Sequence, residues 1–128
     1  MTRFIMTLKE SCNLIEYAIL HCNNGETIIP TIKSMYMKDL FEIFSELYKK
    51  PIKIVGLRPG EKLYESLING TQHLLTYIKN DHYHITPPYN KELFNTDQAD
   101  INSNYNLLTK QDLKELLIKL QLIYVPTN

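Results

Sequence analysis

Between Ile52 and Ile68 the chain changes its period: Ile-Lys-Ile-Val is followed by Gly-Leu-Arg-Pro-Gly and then by Glu-Lys-Leu-Tyr-Glu-Ser-Leu-Ile. A short apolar run rich in β-branched residues predicts a buried strand over Ile52–Val55. Gly56 and Pro59–Gly60 break regular structure on either side of Arg58, which is thereby placed on a loop. Glu61 to Asn69 then predicts a helix, with the Glu61 carboxylate in the first turn, where it meets the positive end of the helix dipole. Strand, rigid loop and helix in succession set the expectation of an α/β fold.

The flanking sequence alternates in the same way. Arg3 to Met6 predicts a short strand, and Thr7-x-x-Glu10 is a capping box that starts a helix running to about His21, with Ile15, Ala18, Ile19 and Cys22 on one face. Asn23-Asn24-Gly25 stops it. Glu26 to Ile29 reads as a strand, Pro30 to Ser34 as a loop, and Met35 to Tyr48 as a helix. In that helix Met37, Leu40, Phe41, Phe44, Leu47 and Tyr48 recur at helical spacing and are expected in the core, each contributing about 1.5 to 3 kcal/mol. Residues 81–106 read as irregular, with Pro87–Pro88 among them, apart from a strand around Tyr83 to Ile85. The last helix opens at Thr109-x-x-Asp112 and buries Leu113, Leu116, Leu117 and Leu120 before Pro126. The 128 residues are read as one domain, 1–128, large enough to bury about two-thirds of its unfolded surface.

Several function classes drop out on composition. Fourteen basic and 14 acidic residues give no net charge, so neither a nucleic-acid surface nor an anionic membrane surface is expected. Lys49, Lys50 and Lys53 read as complements to a helix C-terminus. Cys12 and Cys22 fall about 15 Å apart along one predicted helix, too far to bridge, and are expected to be reduced. No apolar run approaches the ~20 residues of a membrane span, and the N-terminus lacks the order of a signal peptide, so a cytoplasmic location is expected. His73, His82 and His84 lack a convincing fourth ligand for structural zinc, so no metal site is expected. No Ser, His and Asp set or carboxylate pair stands in a hydrolytic frame, and no catalytic residue is assigned.

Arg58 and Glu61 carry the chemistry that remains. A guanidinium presents a planar fork of donors to two phosphate oxygens, and a carboxylate three residues on accepts from a pair of sugar hydroxyls. A nucleotide sugar suits both. The same four residues also make a plain solvated turn whose Arg and Glu pair weakly, and Glu61 has a structural task at a helix start.

Arg58-Pro-Gly-Glu-Lys-Leu63, followed by Glu65 and Leu67-Ile68, resembles the C-terminal part of UDP-N-acetylglucosamine 4,6-dehydratase-like polysaccharide-biosynthesis proteins of the extended short-chain dehydrogenase/reductase superfamily. Met1-Thr-Arg-Phe4, Thr7-Leu8-x-Glu10, Gly25-Glu26, Ile29-Pro30, Ser34-Met35 and Asp39-Leu40 follow in that family's order. Asn102-Ser103, Leu108 and Asp112-Leu113-x-Glu115-Leu116 are similar to its closing helix. This chain departs from the pattern at Tyr64, where the family usually has His, at Ser66, often Glu, and at Thr31, usually Lys.

The resemblance implies a small α/β substrate-binding subdomain without its Rossmann half. The family holds its nicotinamide cofactor on a Gly-rich strand-to-helix turn, whereas this chain has only Gly25, Gly56, Gly60 and Gly70 and no tyrosine with a lysine four residues on. No cofactor-binding residue is therefore assigned, and NAD(P) is expected on a partner Rossmann chain. The resemblance further implies that Arg3 and Arg58 clamp the diphosphate of a UDP-sugar, with Glu61 at the sugar. Arg3 otherwise reads as a frayed terminal side chain. Two roles remain open: a nucleotide-sugar-binding subunit completed by a partner, or a non-catalytic remnant acting in binding or assembly. Self-association through an uncovered apolar face is also expected.

Overall fold

The computed structural model describes residues 1–85 and 92–124. Pro87–Pro88 and Pro126 lie outside the described residues. Among those described, four helices and seven short strands make a small mixed α/β fold. The chain divides into two compact units: one of Met1–Phe4, Lys33–Glu65 and Ser103–Asn128, the other of Ile5–Ile32 and Ser66–Asn102.

In the first unit, β1 (Thr2–Ile5, whose last residue belongs to the second unit) pairs with β3 (Lys33–Tyr36). β3 occupies part of the span expected to be a loop and the start of a helix. The segment at 106–108 also holds it: Ser34 N–H donates to Asn106 O at 3.1 Å and Leu108 N–H to Ser34 O at 2.8 Å. Helix α2 (Met37–Tyr48) packs against α4 (Lys110–Lys119). The expected stripe on α2 is turned: Ile43 is its buried residue, while Phe41 and Tyr48 face solvent. From α4, Leu113 and Leu117 complete this core with Ile123. Thr109 caps α4 as expected, its hydroxyl accepting from Asp112 N–H while the Asp112 carboxylate reaches back to Thr109.

Two expectations fail between 51 and 69. Ile52–Val55 is neither a strand nor buried, and Glu61–Asn69 is not a helix. The backbone of Glu65 explains the second, because its N–H donates to Ser103 Oγ at 3.0 Å and its carbonyl accepts from Ser103 N–H at 2.8 Å. Those groups are thereby withdrawn from any helical ladder.

In the second unit, α1 (Leu8–His21) keeps the Thr7–Glu10 capping box but buries no residue fully, so its expected apolar face is largely exposed. Strands β2 (Thr27–Pro30), β6 (His82–Ile85) and β5 (Thr76–Lys79) form an antiparallel sheet in the order β2-β6-β5. Asn80 and Asp81 join β5 to β6 with φ of 49° and 64°, the positive pair that a two-residue type I′ hairpin requires. β4 (Ser66–Ile68) pairs antiparallel with β7 (Ile101–Asn102), and Ile68 is fully buried. Between β4 and β5, Asn69 and Gln72 form a capping box on α3 (Gly70–Leu74). Gly70 starts that helix where any Cβ would fall 2.8 Å from Gln98 O, so the close approach itself requires glycine.

Candidate functional site

Arg58 and Glu61 close a turn on each other. Glu61 N–H donates to Arg58 O at 3.1 Å, Pro59 and Gly60 make the corner, and Gly60 has φ of 81°. These are the marks of a type II turn, in which proline pre-sets the second position and the third needs a positive φ. The Glu61 carboxylate folds back and accepts the Arg58 backbone N–H, also at 3.1 Å. One of its oxygens is thus spent inside the turn. The Arg58 side chain is exposed, and its guanidinium makes no hydrogen bond or ion pair among the described residues.

Arg3 is drawn to the far end of the same loop. Nη1 donates to Thr2 O at 2.7 Å, Nη2 donates to Lys62 O at 2.9 Å, and Nε lies 3.7 Å from Glu65 Oε1. The side chain is only 26% exposed, so Arg3 is ordered rather than frayed. The structure therefore joins Arg3 to Lys62 and Glu65, and Arg58 to Glu61. Among the described residues no hydrogen bond or ion pair links the two arginines' groups.

Beneath the loop lies a relay of buried hydroxyls that the sequence reading did not single out. Thr2 Oγ1 donates to Asn104 Oδ1 at 3.0 Å. Its one proton being used there, Ser103 must be the donor in the 2.7 Å contact between the two hydroxyls. Ser103 Oγ in turn accepts from Glu65 N–H. No spacing rule points to Thr2 and Ser103, since the pair is 101 residues apart. Between Lys49 and Lys62 the sequence carries Lys49, Lys50, Lys53, Arg58 and Lys62 against the single carboxylate of Glu61. Such a loop favours an anion.

The histidines serve other ends. His73 Nδ1 accepts the Ala99 N–H at 3.2 Å, and the His82 ring lies edge-on to Tyr17 with centroids 4.8 Å apart. His84's side chain lies outside the described residues. No group of three or more His, Cys, Asp or Glu among the described residues is placed to hold a metal. His73, Tyr77, Tyr83 and Phe94 help line a second-unit cavity of about 310 Å³. There Tyr77 donates to Glu26 Oε1 at 3.3 Å, and burial followed by the Glu26 charge raises its pKa above the usual phenol value. Cys12 and Cys22 are both free thiols, and no described helix is long and apolar enough to cross a membrane.

Residues 1–87 match the family model described as "Polysaccharide biosynthesis protein". The chain is 34% identical over 87 residues to a UDP-N-acetylglucosamine 4,6-dehydratase (inverting) of Campylobacter jejuni, covering 68% of this chain and 25% of that protein. It is 32% identical over 87 residues to a UDP-glucose 4-epimerase of Rickettsia rickettsii, covering 66% of this chain and 26% of that protein. An uncharacterized membrane protein of Methanocaldococcus jannaschii is 33% identical over 133 residues, covering 91% and 38%. The X-ray structure of Pen from Bacillus thuringiensis superposes on 97% of this chain and 40% of its own, with a TM-score of 0.81 and 30% identity. The chain thus spans no more than about two fifths of the length of these relatives.

Proposed function

Because the chain belongs to the polysaccharide biosynthesis protein family, we propose that it is the nucleotide-sugar-binding portion of an NDP-sugar dehydratase or epimerase, of the UDP-N-acetylglucosamine type. The observation that carries this reading is the Arg58 guanidinium, left without a partner among the described residues on a turn fixed by Pro59 and Gly60. The dehydratase and the epimerase among these relatives differ in sugar and share UDP, so the common element to be gripped is a nucleoside diphosphate. Arg58 would take the diphosphate as a two-pronged donor, and Arg3 would lend the donors not spent on Thr2 and Lys62. Glu61 would offer its less occupied oxygen to a sugar hydroxyl.

Redox chemistry would come from NAD(P) held on a Rossmann-bearing partner, which this portion needs for catalysis. A cytoplasmic setting goes with this reading, as two free cysteines suit a reducing compartment. The second reading, a non-catalytic remnant acting in binding or assembly, draws support from Arg3, whose fork is largely committed inside the chain.

Calorimetry with UDP-N-acetylglucosamine and UDP-glucose tests the proposal on the wild type and Arg58→Ala, alone and with a Rossmann-bearing partner. Loss of one charge-assisted hydrogen bond of about 1.5 to 3 kcal/mol predicts affinity lowered about tenfold to more than a hundredfold. Equal affinity in the two proteins would reduce the loop to a structural turn.

A further inference from the structure

The run Ile52–Val55 has the composition of a strand and the surroundings of none, and Gly56, with φ of 84°, ends it. Its β-branched residues favour pairing, yet Ile54 is 91% and Val55 68% exposed. The backbone of residues 51–57 makes no hydrogen bond among the described residues. Next to it, the outward face of α2 presents Phe41 and Tyr48, each about half exposed, with Phe44 stacked on Tyr48 at 5.9 Å between centroids. Together they line a groove of about 620 Å³ whose other wall is Lys50, Pro51, Ile52 and Lys53. Unpaired backbone and an uncovered apolar groove lie side by side in one compact unit.

We infer that residues 52–55 are a docking strand, paired in the working protein by an acidic β-strand from the part of the family fold that these 128 residues do not span. The groove beside α2 takes an apolar side chain from that partner. The inference rests on the partner reading above. More than half of the Pen polypeptide has no counterpart in this chain, which supplies a source for the missing strand. Charge decides against a second copy as the occupant. Lys49, Lys50, Lys53 and Arg58 frame the run, and no Asp or Glu stands between Lys49 and Pro59. Pairing with itself would set lysine toward lysine, the arrangement by which edge strands repel their own kind. Main-chain bonds would give the affinity and the alternate side chains the specificity.

The test is co-expression with the portion of Bacillus thuringiensis Pen that this chain does not match, followed by sedimentation and amide hydrogen exchange. The expected result is a one-to-one complex in which amides 53–55 exchange at least about tenfold more slowly than in the chain alone. Ile54→Pro, which removes a ladder donor, should weaken the complex about tenfold or more. Ile54→Glu, which keeps the donor but faces an acidic partner, should do the same. Both sit at an exposed position, and far-UV dichroism checks their fold. A complex with unprotected 53–55 amides, or one indifferent to both variants, overturns the docking strand and leaves the partner reading standing. Absence of any complex overturns both. A dimer of the chain alone with protected 53–55 amides makes a second copy the occupant and overturns the charge argument.

Discussion

The hydroxyls of Thr2 and Ser103 meet at 2.7 Å, although they are separated by 101 residues and each is almost wholly removed from solvent. They form the middle of a relay running from Glu65 N–H through Ser103 and Thr2 to Asn104 Oδ1. It ties the start of β1, the end of the 51–65 loop and the segment before α4 into one unit. Ser103→Ala should therefore cost about 1 to 3 kcal/mol, since it strands a half-buried N–H at Glu65 and a buried acceptor at Thr2. Urea titration should show a lower midpoint with an unchanged slope. An unchanged midpoint would mean that water replaces the relay.

The capping boxes of α1 and α4 should respond differently to the same deletion. Thr109→Ala removes the cap of a helix that buries Leu113 and Leu117, and should lower global stability by about 0.5 to 2 kcal/mol. Thr7→Ala removes the cap of α1, which buries no residue fully. Its effect should be faster amide exchange in the first turn of α1 with a smaller change in the global midpoint. Equal global losses would show that α1 is as firmly integrated as α4.

Those caps were legible in the sequence because they are local: Thr7 with Glu10 and Thr109 with Asp112 lie within one turn. The third box, Asn69 with Gln72, was hidden because the expected helix ended at Asn69, the residue that instead caps α3. What could not be read is what depends on distant backbone. β3 exists because Asn106 and Leu108 bond to Ser34, and the helix expected from Glu61 is lost because Glu65 bonds to Ser103. Ile52–Val55 has the strand signal without a described partner, so propensity alone misplaced it. At the site, Arg58 and Glu61 were visible as a rigid turn, whereas the commitment of Arg3 to Thr2, Lys62 and Glu65 required the fold.

The link between α2 and α4 should depend on pH at both ends. Lys110 Nζ lies 2.9 Å from Glu42 Oε2 and 2.7 Å from Glu46 Oε1. The Lys110 hydrogen bond holds the Glu42 carboxyl below its usual range, so its contribution is present above the unfolded value of about 4.3 and is lost as pH falls through the folded value. Hydrogen bonds to Glu46 and then Glu42 raise the Lys110 pKa. That contribution is full below the unfolded value of about 10.4 and is lost as pH rises through the folded one. The melting difference between wild type and Lys110→Met should be largest in the interval between and shrink on both sides of it, and with salt. A difference independent of pH would assign the effect to packing of the lysine stem.

Gly60→Ala isolates the conformation of the turn from its contacts. The position has φ of 81°, and a Cβ there would meet no atom within 4 Å. The substitution therefore costs strain alone, about 1 to 2 kcal/mol. The turn is exposed and can relax in the free protein, so the midpoint of unfolding should move little. UDP-sugar affinity should fall roughly five- to thirtyfold if the type II turn is the form that binds. Unchanged affinity would show that the guanidinium of Arg58 does not rely on this turn.

The two arginines should separate by what they change. Arg3→Ala frees the carbonyls of Thr2 and Lys62 and leaves Glu65 without its cation, so stability should fall by about 1 to 3 kcal/mol together with any loss of ligand. Arg58→Ala removes a side chain without partners among the described residues, and stability should stay within about 0.5 kcal/mol of the wild type. Its whole effect should fall on UDP-sugar affinity. Arg58→Lys should recover only part of that affinity, because an ammonium restores the charge without the bidentate geometry. Urea titration and calorimetry on the same preparations make the comparison. If Arg3→Ala lowers stability and leaves affinity untouched, Arg3 is the strut of the loop and the diphosphate is held by Arg58 without it.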